Sequence, residues 1–120
     1  MSDTELARFA AAHPSVRAAA ILTSDGTLRE AISEQDETRD ALAAFVVALE
    51  ALADRSMSEL GAGRLRTMLF DAEGGALLVV PAGDDHFVAV LMSDPYALGA
   101  LWSDARALGL RLAPVLGVAA

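Results

Sequence analysis

Two histidines, His13 and His86, are the only imidazoles in the chain, and imidazole is the side chain best suited to moving protons near neutral pH. Neither stands in a pattern that would use it. No H-x-x-x-H spacing and no His-Glu pairing occurs around them, so both read as structural or surface histidines. Asp84-Asp85-His86 is the one local run of metal-ligating groups, but a calcium loop needs several oxygen ligands at a regular spacing that is missing here. It reads as a solvated hairpin turn. Asp25, Asp71 and Glu73 could suggest paired carboxylates for acid-base work, yet all three fall where tight turns are expected, and acidic residues are common there for turn chemistry. Gly61-x-Gly63 and Gly74-Gly75 do not lead from a strand into a helix, as a phosphate cradle must. No cysteine is present, which removes thiolate nucleophiles, disulfides and cysteine zinc sites. No catalytic residue, metal site or cofactor site is expected. What remains is arginine: Arg55, Arg64 and Arg66 are the positions from which a cation could reach a nucleotide-binding partner, against the ordinary reading of solvated surface charges.

The elements that position these residues can be read from composition and periodicity. A chain of 120 residues is the size of one domain, here 1–120, and buries roughly two thirds of its unfolded surface on folding. Nine arginines and no lysine stand against 17 acidic residues, for a formal net charge of -8. That field repels phosphate backbones and anionic lipid, so no nucleic-acid partner is expected. No apolar run approaches the ~20 residues of a bilayer span, so no membrane insertion is expected. The N-terminus lacks the basic flank and apolar stretch of a secretory signal. The expected location is the cytoplasm.

Along the chain, Ser2 with Glu5 fits a capping box for a helix to Ala12, with Leu6, Phe9 and Ala10 on one face. Residues Arg17 to Thr23 predict a strand covered on both sides, and Ser24-Asp25-Gly26-Thr27 turns it back into a more polar edge strand, Leu28 to Ser33. The acidic stretch from Glu34 to Asp40 leads into a long helix, with Asp36 as N-cap. Its predicted core arc is Leu42, Phe45, Val46, Leu49, Leu52, Ala53, Met57 and Leu60. Next to it runs a second arc, Ala41, Ala44, Ala48 and Ala51, continued by Arg55, whose small residues would admit another helix. Arg39, Ala43, Val47, Glu50 and Asp54 are left for a mainly solvated side. Gly61 and Gly63 end the helix.

Three strands follow: Leu65 to Asp71, Ala76 to Pro81 and His86 to Met92. The turns between them are too short for parallel crossovers, so the strands must be an antiparallel meander. Asp94-Pro95 starts a last helix whose buried stripe is Leu98, Leu101, Trp102, Ala105, Leu108 and Leu112. The tail from Ala113 to Ala120, which contains Pro114 and Gly117, has no assignment.

The run Leu65-Arg66-Thr67-Met68-Leu69-Phe70-Asp71-Ala72-Glu73-Gly74-Gly75-Ala76-Leu77-Leu78-Val79-Val80-Pro81-Ala82-Gly83, taken with the first hairpin from Val16 to Leu28 that contains Ala-Ile-Leu-Thr-Ser-Asp-Gly-Thr-Leu, resembles the roadblock (dynein light chain) family. The likeness covers about residues 4 to 112, and it rests on element order, strand lengths and turn positions agreeing together. It implies an α/β (α+β) fold of profilin-like type. The central five-stranded antiparallel sheet would run in the order 2-1-5-4-3, with the long helix on one face and the two terminal helices on the other. It also implies a homodimer made by the meander's first strands, edge to edge, and by the paired long helices. The implied interface residues are Ala41, Ala44, Ala48, Ala51, Arg55, Leu65, Thr67 and Leu69. Bacterial members of the MglB-like type bind small Ras-like GTPases and can stimulate hydrolysis by rearranging the GTPase's own site. The resemblance therefore implies a non-enzymatic, homodimeric regulator or adaptor of such a GTPase. Two alternatives stay open: a small-ligand sensor, disfavoured because the strand faces offer few convergent polar groups, and a structural scaffold subunit.

Overall fold

The computed structural model describes residues 4–33, 35–94 and 97–119. The elements in chain order are α1 (Glu5–Ala12), β1 (Val16–Thr23), β2 (Leu28–Ser33), α2 (Asp36–Glu59), β3 (Met68–Ala72), β4 (Gly75–Pro81), β5 (His86–Met92) and α3 (Leu98–Ala119). The strands form one antiparallel sheet in the order β2-β1-β5-β4-β3. The β1–β2 hairpin and the β3–β4–β5 meander are thus joined through β1 and β5, which pair along their whole lengths from Val16 with Met92 to Thr23 with His86.

Alternation along the central strands divides the core in two. On one face, Ala19, Ile21, Ala76, Leu78, Val80, Val88, Val90 and Met92 pack against Leu6 and Phe9 of α1 and Leu101, Ala105, Leu108, Leu112 and Leu116 of α3. On the other, Ala18, Ala20, Leu22, Met68, Leu77, Val79, Phe87 and Ala89 pack against Leu42 and Val46 of α2. The long helix therefore covers one face and the terminal helices the other. Among the described residues, no helix is long and apolar enough to cross a membrane.

Several boundaries differ from the sequence expectation. The capping-box residue Ser2 lies outside the described residues; the N-cap of α1 is Thr4, whose side chain accepts from the Ala7 amide. Helix α2 begins at Asp36 itself, with Gln35 in the cap position, so Asp36 supplies first-turn negative charge and not the cap. Its far end closes as expected: Gly61 takes a φ of 80°, and the amides of Gly61 and Ala62 return to the carbonyls of Ser58 and Met57, which is a Schellman closure. Strand β3 starts at Met68 and ends at Ala72, so Leu65 and Thr67 precede the strand and do not lie in it. The Leu65 amide donates to Asp54 Oδ1 at 2.8 Å, which ties the chain to α2 before the sheet begins. Pro95 lies outside the described residues. The unassigned tail continues α3 through Pro114 to Ala119.

The largest correction concerns which side of α2 meets the sheet. Leu42 and Val46 are buried, with Ala43, Leu49 and Ala53 packed beside them. Phe45, Leu52, Met57 and Leu60, expected in the core arc, are exposed. Ala43, Val47, Glu50 and Asp54, expected to be solvated, are half-buried. The helix is rolled toward them, which turns the alanine arc squarely outward.

Candidate interaction surface

The outward side of α2 carries Ala41, Ala44, Phe45, Ala48, Ala51, Leu52 and Arg55, all exposed. Phe45 and Leu52 keep 50% and 56% of their surface in solvent, unusual for large apolar side chains on a helix that already has a core side. The patch does not stop at the helix. Phe70 of β3, itself 38% exposed, meets Phe45 edge-on with ring centroids 5.9 Å apart, an arrangement that suits the aromatic quadrupoles. The exposed apolar surface thus runs from α2 onto β3, which among the described residues pairs with β4 on one side and with no strand on the other.

The two edges of the sheet are not equivalent. At the β2 edge the ladder with β1 shifts register between Ile21 and Leu22, and the strand carries Arg29 and Glu30. A bulge and charges of this kind blunt an edge against further pairing. At the β3 edge, five consecutive pairs from Met68 with Val79 to Ala72 with Gly75 run without a shift. Asp71 is the only charged residue in that strand.

The residues singled out from sequence fall as follows. Ala41, Ala44, Ala48, Ala51 and Arg55 share the outward side of α2. Leu69 lies in β3 but turns to the opposite face, where it packs against the α1/α3 core. Leu65 packs against the α2-side core from the segment before the strand, and Thr67 is half-buried in the same segment. Phe45 and Leu52 were missed as surface residues because aromatic and leucine side chains at helical spacing look like core; Phe70 lies in β3 and was not singled out from sequence. Arg64 reaches across to the β4–β5 turn, donating to the Asp84 carbonyl at 3.1 Å with its carboxylate 3.7 Å away. Arg55 and Arg66 are exposed.

The groups considered for chemistry do not assemble a reaction centre. Asp25 is held below its ordinary range by the Thr23 hydroxyl first, then by the amide and hydroxyl of Thr27, so it organises the β1–β2 turn. Asp84 and Asp85 are exposed while His86 is buried, so the three do not converge on an ion. Among the described residues no group of three His, Asp or Glu is placed to hold a metal. His13 has a partner that sequence did not show: its Nε2 lies 2.8 Å from Asp104 Oδ2 on α3, beside the Glu5 carboxylate that Arg8 and Arg111 hold below its ordinary range. These contacts clamp α1 to α3. An open groove of about 790 Å³ lies between α1, the β2 edge and the start of α2. Three of its polar side chains are already spent locally, because Ser33 donates to the Gln35 carbonyl and Thr38 to the Gln35 side chain.

Comparison with known proteins agrees with this architecture. The sequence profile of the Roadblock/LC7 domain matches residues 3–92. A Roadblock/LC7 domain from Streptomyces avermitilis superposes with a TM-score of 0.81 at 22% identity, over 96% of this chain and 98% of that one. A structure described as MglB with tetrameric arrangement gives a TM-score of 0.86 at 18% identity, over 96% and 87% of the two chains. The gliding protein MglB from Thermus thermophilus gives 0.82 at 18% identity, over 92% and 84%. No curated protein matches. With the profile spanning three quarters of the sequence, and with the sheet order and helix placement described above, the chain belongs to the Roadblock/LC7 domain family.

Proposed function

We propose that this protein is a homodimeric, non-enzymatic adaptor or regulator that binds a small Ras-like GTPase in the cytoplasm. The observation that carries the reading is the apolar surface running from the outward side of α2, through the Phe45–Phe70 contact, to the unpaired edge of β3. A two-fold axis beside β3 would pair that strand with its copy and bring the two α2 helices together. The contact would bury Phe45, Leu52 and Phe70 and satisfy the free edge in one step. Ala41, Ala44, Ala48 and Ala51 would let the helix axes approach closely, with Arg55 at the end of the same row. Leu69 belongs to the paired strand through its backbone, and Leu65 and Thr67 flank it. A structural neighbour described as MglB with tetrameric arrangement supports self-association as a habit of this fold.

The GTPase half of the proposal rests on the resemblance to MglB-like proteins, supported by the MglB structures among the neighbours. Arg55, Arg64 and Arg66 are its candidate contacts. Arg64 is held by Asp84, so Arg55 and Arg66 are the freer cations to test first. The experiment is GTP turnover by a Ras-like GTPase encoded beside this protein, measured with and without it, together with binding by calorimetry. Binding with accelerated turnover supports a regulator. Binding with unchanged turnover leaves an adaptor, and no binding overturns the GTPase reading.

A further inference from the structure

The outward side of α2 carries more order than its small residues alone. Glu37, Ala41, Ala44, Ala48, Ala51 and Arg55 recur at alternating spacings of four and three, the period of a seam along which two helices pack, and all six are exposed. Arg55 lies 18 residues beyond Glu37, a whole number of turns at about 3.6 residues each, so opposite charges close one row at its two ends. The row is also symmetric about Val46. Ala44 and Ala48 stand two residues either side of it, Ala41 and Ala51 five, Glu37 and Arg55 nine. The sheet supplies a second centre. Strand β3 is five residues long with Phe70 at its midpoint, and Phe70 meets Phe45 with ring centroids 5.9 Å apart. The middle of the helical row and the middle of the edge strand are therefore neighbours, and a single two-fold axis can pass beside both.

Given the homodimer reading, on which this rests, we propose that the two α2 helices run antiparallel in the register that sets Ala44 of one copy against Ala48 of the other. Glu37 of each copy then pairs with Arg55 of the other, and these ion pairs fix the direction and register of self-association. Charge complementarity selects a second copy and its orientation. Antiparallel pairing about Val46 joins Glu37 to Arg55 twice, whereas parallel pairing brings Glu37 to Glu37 and Arg55 to Arg55, two like-charge contacts. A two-fold axis that joins two copies of β3 edge to edge in one sheet also makes those strands antiparallel. Helix and strand thus ask for the same axis. Each copy carries a net charge of -8, which opposes any self-association at long range. At about 0.15 M salt that field is screened over about 8 Å, so the close pairs at the ends of the seam decide the register.

Sedimentation equilibrium of the whole chain tests the register through charge exchange. Glu37→Arg takes the net charge from -8 to -6, by removing one anion and adding one cation, and so lessens the general repulsion between copies. It should nevertheless weaken the dimer about tenfold or more, because each Arg55 then faces a second cation. Arg55→Glu should weaken it to a similar extent. Mixing the two variants should restore a heterodimer of near-parental affinity, since one chain then brings both cations to the seam and the other both anions. Circular dichroism of each variant should match the parent, because both positions are exposed. A dimeric parent whose affinity neither exchange changes, a Glu37→Arg variant that dimerises more tightly, or weakening that mixing does not reverse would overturn the register and leave the homodimer standing. A parent that stays monomeric at every concentration removes the homodimer reading and the register together.

Discussion

Replacing Ala48 by glutamate separates folding from self-association. In the monomer Ala48 is exposed, midway along the outward arc between Ala44 and Ala51 and flanked by Phe45 and Leu52. Glutamate is a good helix former, and an exposed substitution of this kind shifts fold stability by about 0.5 kcal/mol or less. In a helix pair the same site becomes unforgiving. Axes packed at roughly 8–10 Å over small side chains leave a carboxylate no path to water, and two-fold symmetry introduces two such charges at once. Each buried, unpartnered carboxylate costs several kcal/mol. Even about 2 kcal/mol apiece after local relaxation gives roughly 4 kcal/mol, near a thousandfold in the dimer Kd. Sedimentation equilibrium over a range of concentrations should find Ala48→Glu monomeric with parental circular dichroism, and Ala48→Ser still dimeric. A dimer of unchanged affinity would refute the reasoning, because the alanine arc would then be a solvated surface of good helix formers.

Three further perturbations probe the monomer itself. A Cβ at Gly109 would fall inside any allowed nonbonded distance of the Pro81 carbonyl oxygen. Gly109→Ala would gain about 1 kcal/mol of helix propensity but must push α3 off β4 at up to roughly 3 kcal/mol, so denaturant midpoints should fall; a rise would show that the close approach is not maintained. Partial burial first, and then the Asp54 carboxylate, raise the Glu50 carboxyl above its ordinary value of 4.5, with Arg64 offsetting part of the shift. A raised carboxyl favours the fold while protonated, an advantage fully present below 4.5 and lost as pH rises through the shifted value. Glu50→Gln should therefore stabilise the protein near neutral pH and change little below 4.5, and an equal effect in urea titrations at both would contradict the burial of this group. His86 is buried with its Nε2 atom unpartnered. His86→Leu should leave stability unchanged or raise it by about 1–2 kcal/mol, and a loss of that size in denaturation would mean the imidazole has a partner in solution.

Much of the architecture was legible because it rests on local signals. The three tight antiparallel connections follow from glycine and aspartate turns set between apolar runs, and connections that short admit only antiparallel neighbours. The order that places β1 beside β5 has no local signature and came from resemblance to a family. Where the reading failed, a contact distant in sequence had intervened. Leu65-Arg66-Thr67 looks like the start of a strand, but Asp54 captures the Leu65 amide and holds the chain outside the sheet until Met68. His13 looked solitary because Asp104 lies 91 residues away. Pro114 argues for a helix end, since it removes the amide that would meet the Leu110 carbonyl and costs about 3 kcal/mol in a helix interior. Leu112 and Leu116, buried on either side of it against the sheet, each return roughly 1.5–3 kcal/mol, enough to carry α3 through the proline.

The misreading of α2 is itself informative about function. Hydrophobic periodicity records every side of a helix that is removed from water, whether by its own chain or by a partner. An ordinary surface helix has one such side, and its apolar arc then points to the core. In α2 the apolar residues span two sides, and the larger ones, Phe45 and Leu52, sit toward the second. Reading them as one arc placed the core midway between the sheet and the solvent, which is where an average over two buried surfaces must fall. The sheet contact alone is satisfied by Leu42, Val46 and the half-buried Ala43, Leu49 and Ala53. Phe45 and Leu52 are then surplus to the monomer's needs, and such a surplus on the side that continues through Phe70 to an unpaired strand is what a second partner would require.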